Sequence, residues 1–287
     1  MIIRTAANEQ EIAQALDVYR ANEPPWESDH AEQTLEQWLA AYVSCPEGFW
    51  IAEDEQSHQI VGVASAIRRP PQWLLTNFFV HPDYHGHGIG KSLLAQAIAV
   101  HEGCERFTVH ASQHPSAQHL YMQHGMYPLP YSILFKGQPQ AHIELPSGLE
   151  VEACLLDQAL PIVNDLDLIA LGYTRAVDHH WWAKHGSYFL VKAGDMVVGY
   201  FATSSWNIIG PLVVSDVRSM AATLDLAIHQ QMMHSATDHE IFIPGANTTA
   251  IAQALAYGYR YSEIELLLSS HPMPGLARVV FHDTDFL

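Results

Sequence analysis

Three glycines at alternate positions, Gly86, Gly88 and Gly90, followed by Lys91 and Ser92, are the residues of this sequence best able to hold an anion. An apolar run, Leu74 to Val80, precedes them and has the make-up of a buried strand. His81-Pro82-Asp83 ends that run. A helical pattern follows, with Ile89, Leu93, Leu94, Ala97 and Ile98 on one face. The first amides of a helix have no internal partners, and the helix dipole places partial positive charge there. Glycines let such a backbone approach a phosphate and take up positive φ. Two common phosphate motifs fit poorly. Gly-x-Gly-x-x-Gly would need glycine at Lys91, and the P-loop would need an earlier glycine where His85 stands.

The segment Val80-His81-Pro82-Asp83-Tyr84-His85-Gly86-His87-Gly88-Ile89-Gly90-Lys91-Ser92-Leu93-Leu94 resembles the acyl-CoA pyrophosphate loop of the GNAT superfamily of N-acetyltransferases. His85 departs from the usual Arg or Gln. A second segment, His114-Pro115-Ser116-Ala117-Gln118-His119-Leu120-Tyr121-Met122-Gln123-His124-Gly125-Met126, is similar to the family's following helix, with His114 in place of Asn and Met126 in place of Phe. The resemblance implies an α/β (α+β) fold, a mixed and mostly antiparallel twisted sheet flanked by helices. It implies acetyl-CoA as co-substrate and a primary amine of a small molecule or peptide as acceptor. It places the oxyanion donor on the backbone of Phe78, Phe79 and Val80. It places the cofactor on His85, Gly86, His87, Gly88, Ile89, Gly90, Lys91 and Ser92, with His114 beside it. Tyr121 would protonate the CoA sulfur.

The general base is not legible. Where many relatives carry Glu, Thr76 and Asn77 stand; an amide such as Asn77 cannot act as a base, and it is instead a candidate substrate contact, with Trp26 and Glu27. The acidic loop from Glu23 to Asp29 offers Trp26 and Glu27, able to hold a cationic acceptor by π-face and charge. An ordinary solvated acidic loop is the competing reading. The many histidines, among them His81, His85, His87, His101, His110, His114, His119 and His124, match no zinc spacing, so no metal is expected. The alternative to an enzyme is a non-catalytic acyl-CoA-binding or regulatory module.

The elements that must position these groups follow from periodicity. Ile2-Ile3-Arg4 reads as a strand. Glu9 to Ala21 and Ala31 to Val43 read as amphipathic helices. Phe49 to Ala52 and Ile60 to Ile67 read as a hairpin, and Phe107-Thr108-Val109 as a further strand. Ser132 to Phe135 closes a first domain, 1–136. A polar, Pro- and Gly-bearing linker follows, 137–147, and then a second domain, 148–287.

The second half repeats the first. Pro211 to Asp216 echoes Phe78 to Asp83, Asn247 to Ala250 echoes His114 to Ala117, and Leu255 to Tyr259 echoes the segment ending in Gly125-Met126. All three stand at an offset of 133 (216 − 83, 250 − 117, 258 − 125). At that offset Gly86, Gly88 and Gly90 become Ser219, Ala221 and Thr223, and Tyr121 becomes Ala254. A tandem protein is expected whose second domain binds no CoA.

Net charge is −18, from 13 basic and 31 acidic residues, which argues against nucleic acid as a partner. No run of about 18 apolar residues suggests a membrane span. The N-terminus has no signal-peptide pattern. Cys45, Cys104 and Cys154 read as reduced thiols of a cytoplasmic protein. A monomer or homodimer is expected.

Overall fold

The computed structural model describes residues 1–22, 28–235 and 237–283. The chain divides into two compact units. The first holds Met1–His110 with His119–His124; the second holds Ala111–Gln118 with the described residues from Gly125 onward.

In its first half the chain runs β1 (Ile2–Thr5), α1 (Glu9–Asn22), α2 (Ser28–Ser44), β2 (Phe49–Glu53), β3 (Ile60–Arg69), β4 (Gln72–Val80), α3 (Ile89–Ala99), β5 (Arg106–Ala111) and α4 (Pro115–Gln123), the first turn of α4 falling to the second unit. Strands β1 to β5 lie side by side in chain order. Each neighbouring pair is antiparallel except β4 and β5, which are parallel. Asn8 starts α1: its Oδ1 accepts the Glu11 amide at 3.1 Å, and Glu9 and Glu11 stand in the first turn, where the helix dipole favours acids. The face carrying Ile12, Ala15 and Leu16 is buried with Trp38, Phe49, Ile51 and Val63. Asp54 turns the β2–β3 hairpin by accepting the amides of Gln56 and Ser57, each at 2.9 Å. The strands and helices expected from periodicity are present. They extend a few residues beyond the expected limits, as apolar spacing fixes a centre better than an end.

The second unit contains β6 (Tyr127–Pro128), β7 (Ser132–Gly137), β8 (Glu150–Cys154), α5 (Leu156–Leu171), α6 (Ala176–Trp182), β9 (Gly186–Ala193), β10 (Met196–Ser204), β11 (Ile209–Val214), α7 (Met220–His234), β12 (His239–Pro244), α8 (Thr248–Ala256), β13 (Arg260–Ser269) and β14 (Val279–Val280). One antiparallel ribbon runs β14-β11-β10-β9-β8. β7 is paired on both edges, with β12 on one side and β13 on the other. The strand expected to close the first half is thus hydrogen-bonded among strands of the second. Its partners begin some 100 residues later, beyond the reach of a local pattern. The core gathers Phe189, Phe201, Leu212, Leu224, Ile228, Ile241 and Ile243.

Beneath α5 and α6 lies a buried polar group. Asp167, Arg175, His179 and Tyr200 are each 0–1% exposed. Arg175 grips Asp167 with two parallel bonds, Nε to Oδ2 at 2.9 Å and Nη2 to Oδ1 at 2.8 Å. Tyr200 donates to the same carboxylate at 2.5 Å, and His179 Nε2–H at 2.8 Å. The Tyr188 hydroxyl donates to His179 Nδ1 at 2.8 Å. Each oxygen of the carboxylate therefore accepts two bonds, which is what allows a charge to stay buried.

Candidate active site

The site begins with a flaw in a strand. Along β3 and β4, Ser65 faces Asn77 but Ala66 faces Leu75, so Thr76 is an extra residue, a β-bulge. The Thr76 hydroxyl donates to the Ser65 carbonyl at 3.0 Å and accepts from Asn77 Nδ2 at 3.2 Å, which fixes the bulge from within. β5 pairs with β4 only from Gln72↔Arg106 to Leu75↔Val109. Past the bulge, β4 continues from Thr76 to Val80, and among the described residues no strand pairs with that edge.

Which amides look into this opening follows from alternation. His81 donates its N–H to Val61 on β3 at 2.8 Å. Successive residues of a strand point their backbone groups to opposite edges. Phe79 therefore faces β3, and Phe78 and Val80 face the opening. The Val80 carbonyl accepts from Asn22 Nδ2 at 3.1 Å and from His85 Nε2–H at 2.7 Å, as that geometry requires. Asn22 gave no signal in the sequence, because its role depends on where α1 ends against β4.

The glycine stretch leads into α3 as its spacing predicts. Gly86 and Gly88 have φ of +82° and +77°, a region L-residues avoid, and a Cβ at either would meet nothing within 4 Å. The first helical bond is Ser92 N–H to Gly88 O at 3.1 Å, so the amides of Ile89, Gly90 and Lys91 lie in the unpaired first turn. His85, Gly86, His87, Gly88, Lys91 and Ser92 are exposed, and Gly90 is half-buried. The ring of His87 donates to the Tyr84 carbonyl at 3.3 Å, and His81 Nδ1 accepts the Asp83 amide at 3.3 Å. These rings brace the loop against its own backbone. Among the described residues, no group of His, Cys, Asp and Glu is arranged to hold a metal ion.

Phe78 joins loop and helix. A Cβ at Gly90 would sit 3.2 Å from its ring, and Tyr121 packs edge-on against it at 5.8 Å between centroids. Tyr121 is buried, and burial pushes its phenol well above the usual tyrosine value. Phe79 points the other way, against Tyr19 at 4.6 Å and toward Trp38 at 6.4 Å. Asn77 is buried and held by Thr76. His114 is exposed, and its carbonyl accepts the Gln118 amide at 3.2 Å at the start of α4. Trp26 and Glu27 lie outside the described residues.

The second unit lacks the glycine turn and the helix start that follows it. α7 begins at Met220, so Ala221 and Thr223, the counterparts of Gly88 and Gly90, lie inside the helix. Thr223 is fully buried. Phe78 is replaced by Pro211, which has no N–H to offer.

Residues 13–126 match the model of the acetyltransferase (GNAT) family. No curated protein matches the sequence. Among solved structures, the chain is similar to a candidate acetyltransferase from Pyrococcus horikoshii, at 16% identity over 99% of this chain and 92% of that one, with a TM-score of 0.73. It is similar to a GCN5-related N-acetyltransferase from Sphaerobacter thermophilus, at 17% identity over 94% and 96%, TM-score 0.64. It is also similar to a tandem GNAT protein of the clavulanic acid biosynthesis pathway, at 14% identity over 94% and 98%, TM-score 0.63. At such identities the likeness establishes the fold: mixed sheets flanked by helices, as in GNAT proteins.

Proposed function

With residues 13–126 falling in the GNAT family of acetyltransferases, we propose that this chain is an acetyl-CoA-dependent N-acetyltransferase with one working cofactor site, in its first half. The observation that carries the proposal is the opening beside β4. A strand edge that no described strand pairs with, a glycine-led helix N-terminus and a buried phenol meet at Phe78.

Acetyl transfer from a thioester to an amine has three demands, and this chain's residues divide them. The pyrophosphate is held by the amides from His85 to Gly90 with Lys91 and Ser92 at the helix start, where backbone donors and the dipole favour an anion. Phe78 and Val80 turn N–H groups toward the acetyl carbonyl, where negative charge develops as the amine attacks. Tyr121 gives its proton to the departing sulfur. Its burial keeps it protonated at every physiological pH. On the opposite face of β4, Phe79 packs with Tyr19 and the buried Trp38 into the core under α1 and α2, so the acceptor must reach the thioester from the side of the opening. Trp26 and Glu27 are proposed to hold the charge of the acceptor, a primary amine of a small molecule or peptide. The cytoplasm fits a protein with three free thiols.

The test combines calorimetry with a screen of amines for release of free thiol from acetyl-CoA. One equivalent of acetyl-CoA bound, with thiol release on an amine, is the expected result. One equivalent bound with no release across the screen would favour a non-catalytic acyl-CoA-binding module. No binding would sink both.

A further inference from the structure

The two units share a construction. β5 and β12, Arg106–Ala111 and His239–Pro244, are the same length and begin and end 133 residues apart, as do α4 and α8. In the first unit β4 parts from β5 after Leu75↔Val109 and leaves an opening. The second unit opens in the same way: β11 and β12 touch as parallel strands at Ile208↔Glu240, where the Glu240 amide reaches the Asn207 carbonyl at 2.8 Å, and then separate.

In the second unit the opening is filled. Leu212 and Val213 pair with Val280 and Val279 of β14. On the other side Phe281 bridges Phe242 and donates its N–H to the Phe242 carbonyl at 2.9 Å. Asn247, the counterpart of His114, caps α8 by accepting the Ala250 amide at 3.0 Å and donates Nδ2 to the Val279 carbonyl at 2.9 Å. Val279, Val280 and Phe281 are completely buried. The wall is shaped for them: a Cβ on Gly210 would lie 2.4 Å from the Phe281 carbonyl oxygen.

We infer that Val279–Phe281 is the resident ligand of the second unit, an extended run of peptide amides occupying the slot that in the first unit would take the extended, amide-bearing arm of acyl-CoA. This rests on the reading of the first slot as the cofactor's. A parted strand pair leaves backbone N–H and C=O groups that must be satisfied once buried. In the first unit solvent or a ligand does this. In the second the chain does it permanently, by adding a strand. The second unit is then a scaffold with no cofactor slot, its opening closed by its own backbone.

The experiment uses the full chain with a protease site placed in the exposed stretch at His271 and Pro272, ahead of the strand. After cleavage, the tail peptide should stay bound through gel filtration and should not be displaced by excess acetyl-CoA. Acetyl-CoA stoichiometry should be the same before and after cleavage. In the uncut protein, hydrogen exchange should place the Val280 and Phe281 amides with the slowest core. Displacement of the peptide by acetyl-CoA, a second equivalent bound after cleavage, or fast exchange at Val280 and Phe281 would each overturn the inference. Gly210→Val should expel the strand and lower the melting temperature. An unchanged melting temperature with slow exchange retained would count against the fit described. If the uncut protein binds no acetyl-CoA, the reading of the first slot fails, while peptide retention and exchange still decide the role of the tail strand.

Discussion

Tyr121 shows how much one residue can say before a structure exists. Ala117, Leu120 and Gly125 set its register on a helix, and that register brings it against Phe78. The bulge at Thr76 was not legible. It depends on Ser65 and Asn77 closing on one hydroxyl, and the pattern of apolar residues along β4 does not record it. Tyr121→Phe tests the role directly. The ring and its contact with Phe78 remain, so folding and acetyl-CoA affinity should be unchanged. With proton donation to the sulfur lost, kcat should fall by roughly 10²–10⁴. Because burial raises the phenol's pKa, the wild-type kcat should show no alkaline loss from this group below about pH 10, its ordinary value. Wild-type kcat in the Phe variant would make Tyr121 a packing residue.

At the scale of elements, the strand, loop and helix around the site were legible because each carries a local signature: an apolar run, positive-φ glycines, a 3.6-residue stripe. The pairings of β7 and β14 were not, since each is decided by strands distant in sequence. The glycine loop offers a prediction that separates strain from function. Gly88 holds φ +77° in open space, so Gly88→Ala meets no clash. The left-handed conformation should cost about 1 kcal/mol of stability, read as a small fall in melting temperature. On the proposed reading of the loop, its methyl would occupy open space that the pyrophosphate needs. Acetyl-CoA affinity should therefore drop about tenfold or more, equivalent to ~1.4 kcal/mol, while Ala221→Gly in the second unit should leave affinity alone. Equal small effects from both changes would remove the loop from the cofactor site.

For the molecule as a whole, stability in acid should be governed in part by the network under α5 and α6. Asp167 is ionised when folded: although burial opposes its charge, Arg175 and the bonds it accepts hold its pKa far below the usual carboxylate range. His179 is neutral when folded, because burial lowers its pKa and both ring nitrogens are already committed, Nε2–H to Asp167 and Nδ1 to the Tyr188 hydroxyl. A proton on Nδ1 would break the Tyr188 bond. Both groups therefore take up protons more readily in the unfolded chain. Their stabilisation is complete above the unfolded values and is lost as pH falls, first below about 6.5 for His179 and then below about 3.9 for Asp167. The slope from His179 alone should approach ~1.4 kcal/mol per pH unit in the acid range. Denaturant unfolding of wild type and His179→Gln, measured from pH 8 to pH 5, isolates it, since His239, also buried and lowered, titrates in both proteins. The Gln amide can donate to Asp167 and accept from Tyr188, so the variant should fold and its stability should vary less with pH below about 6.5. Asp167→Asn should instead cost about 3–5 kcal/mol at neutral pH, because it leaves the Arg175 charge buried without its counter-ion. Parallel pH profiles for wild type and His179→Gln would mean that His179 takes up its proton at the same pH folded and unfolded, whereas a wild type that alone loses stability as pH rises above about 6.5 would mean that the ring is charged when folded and donates to the Tyr188 hydroxyl.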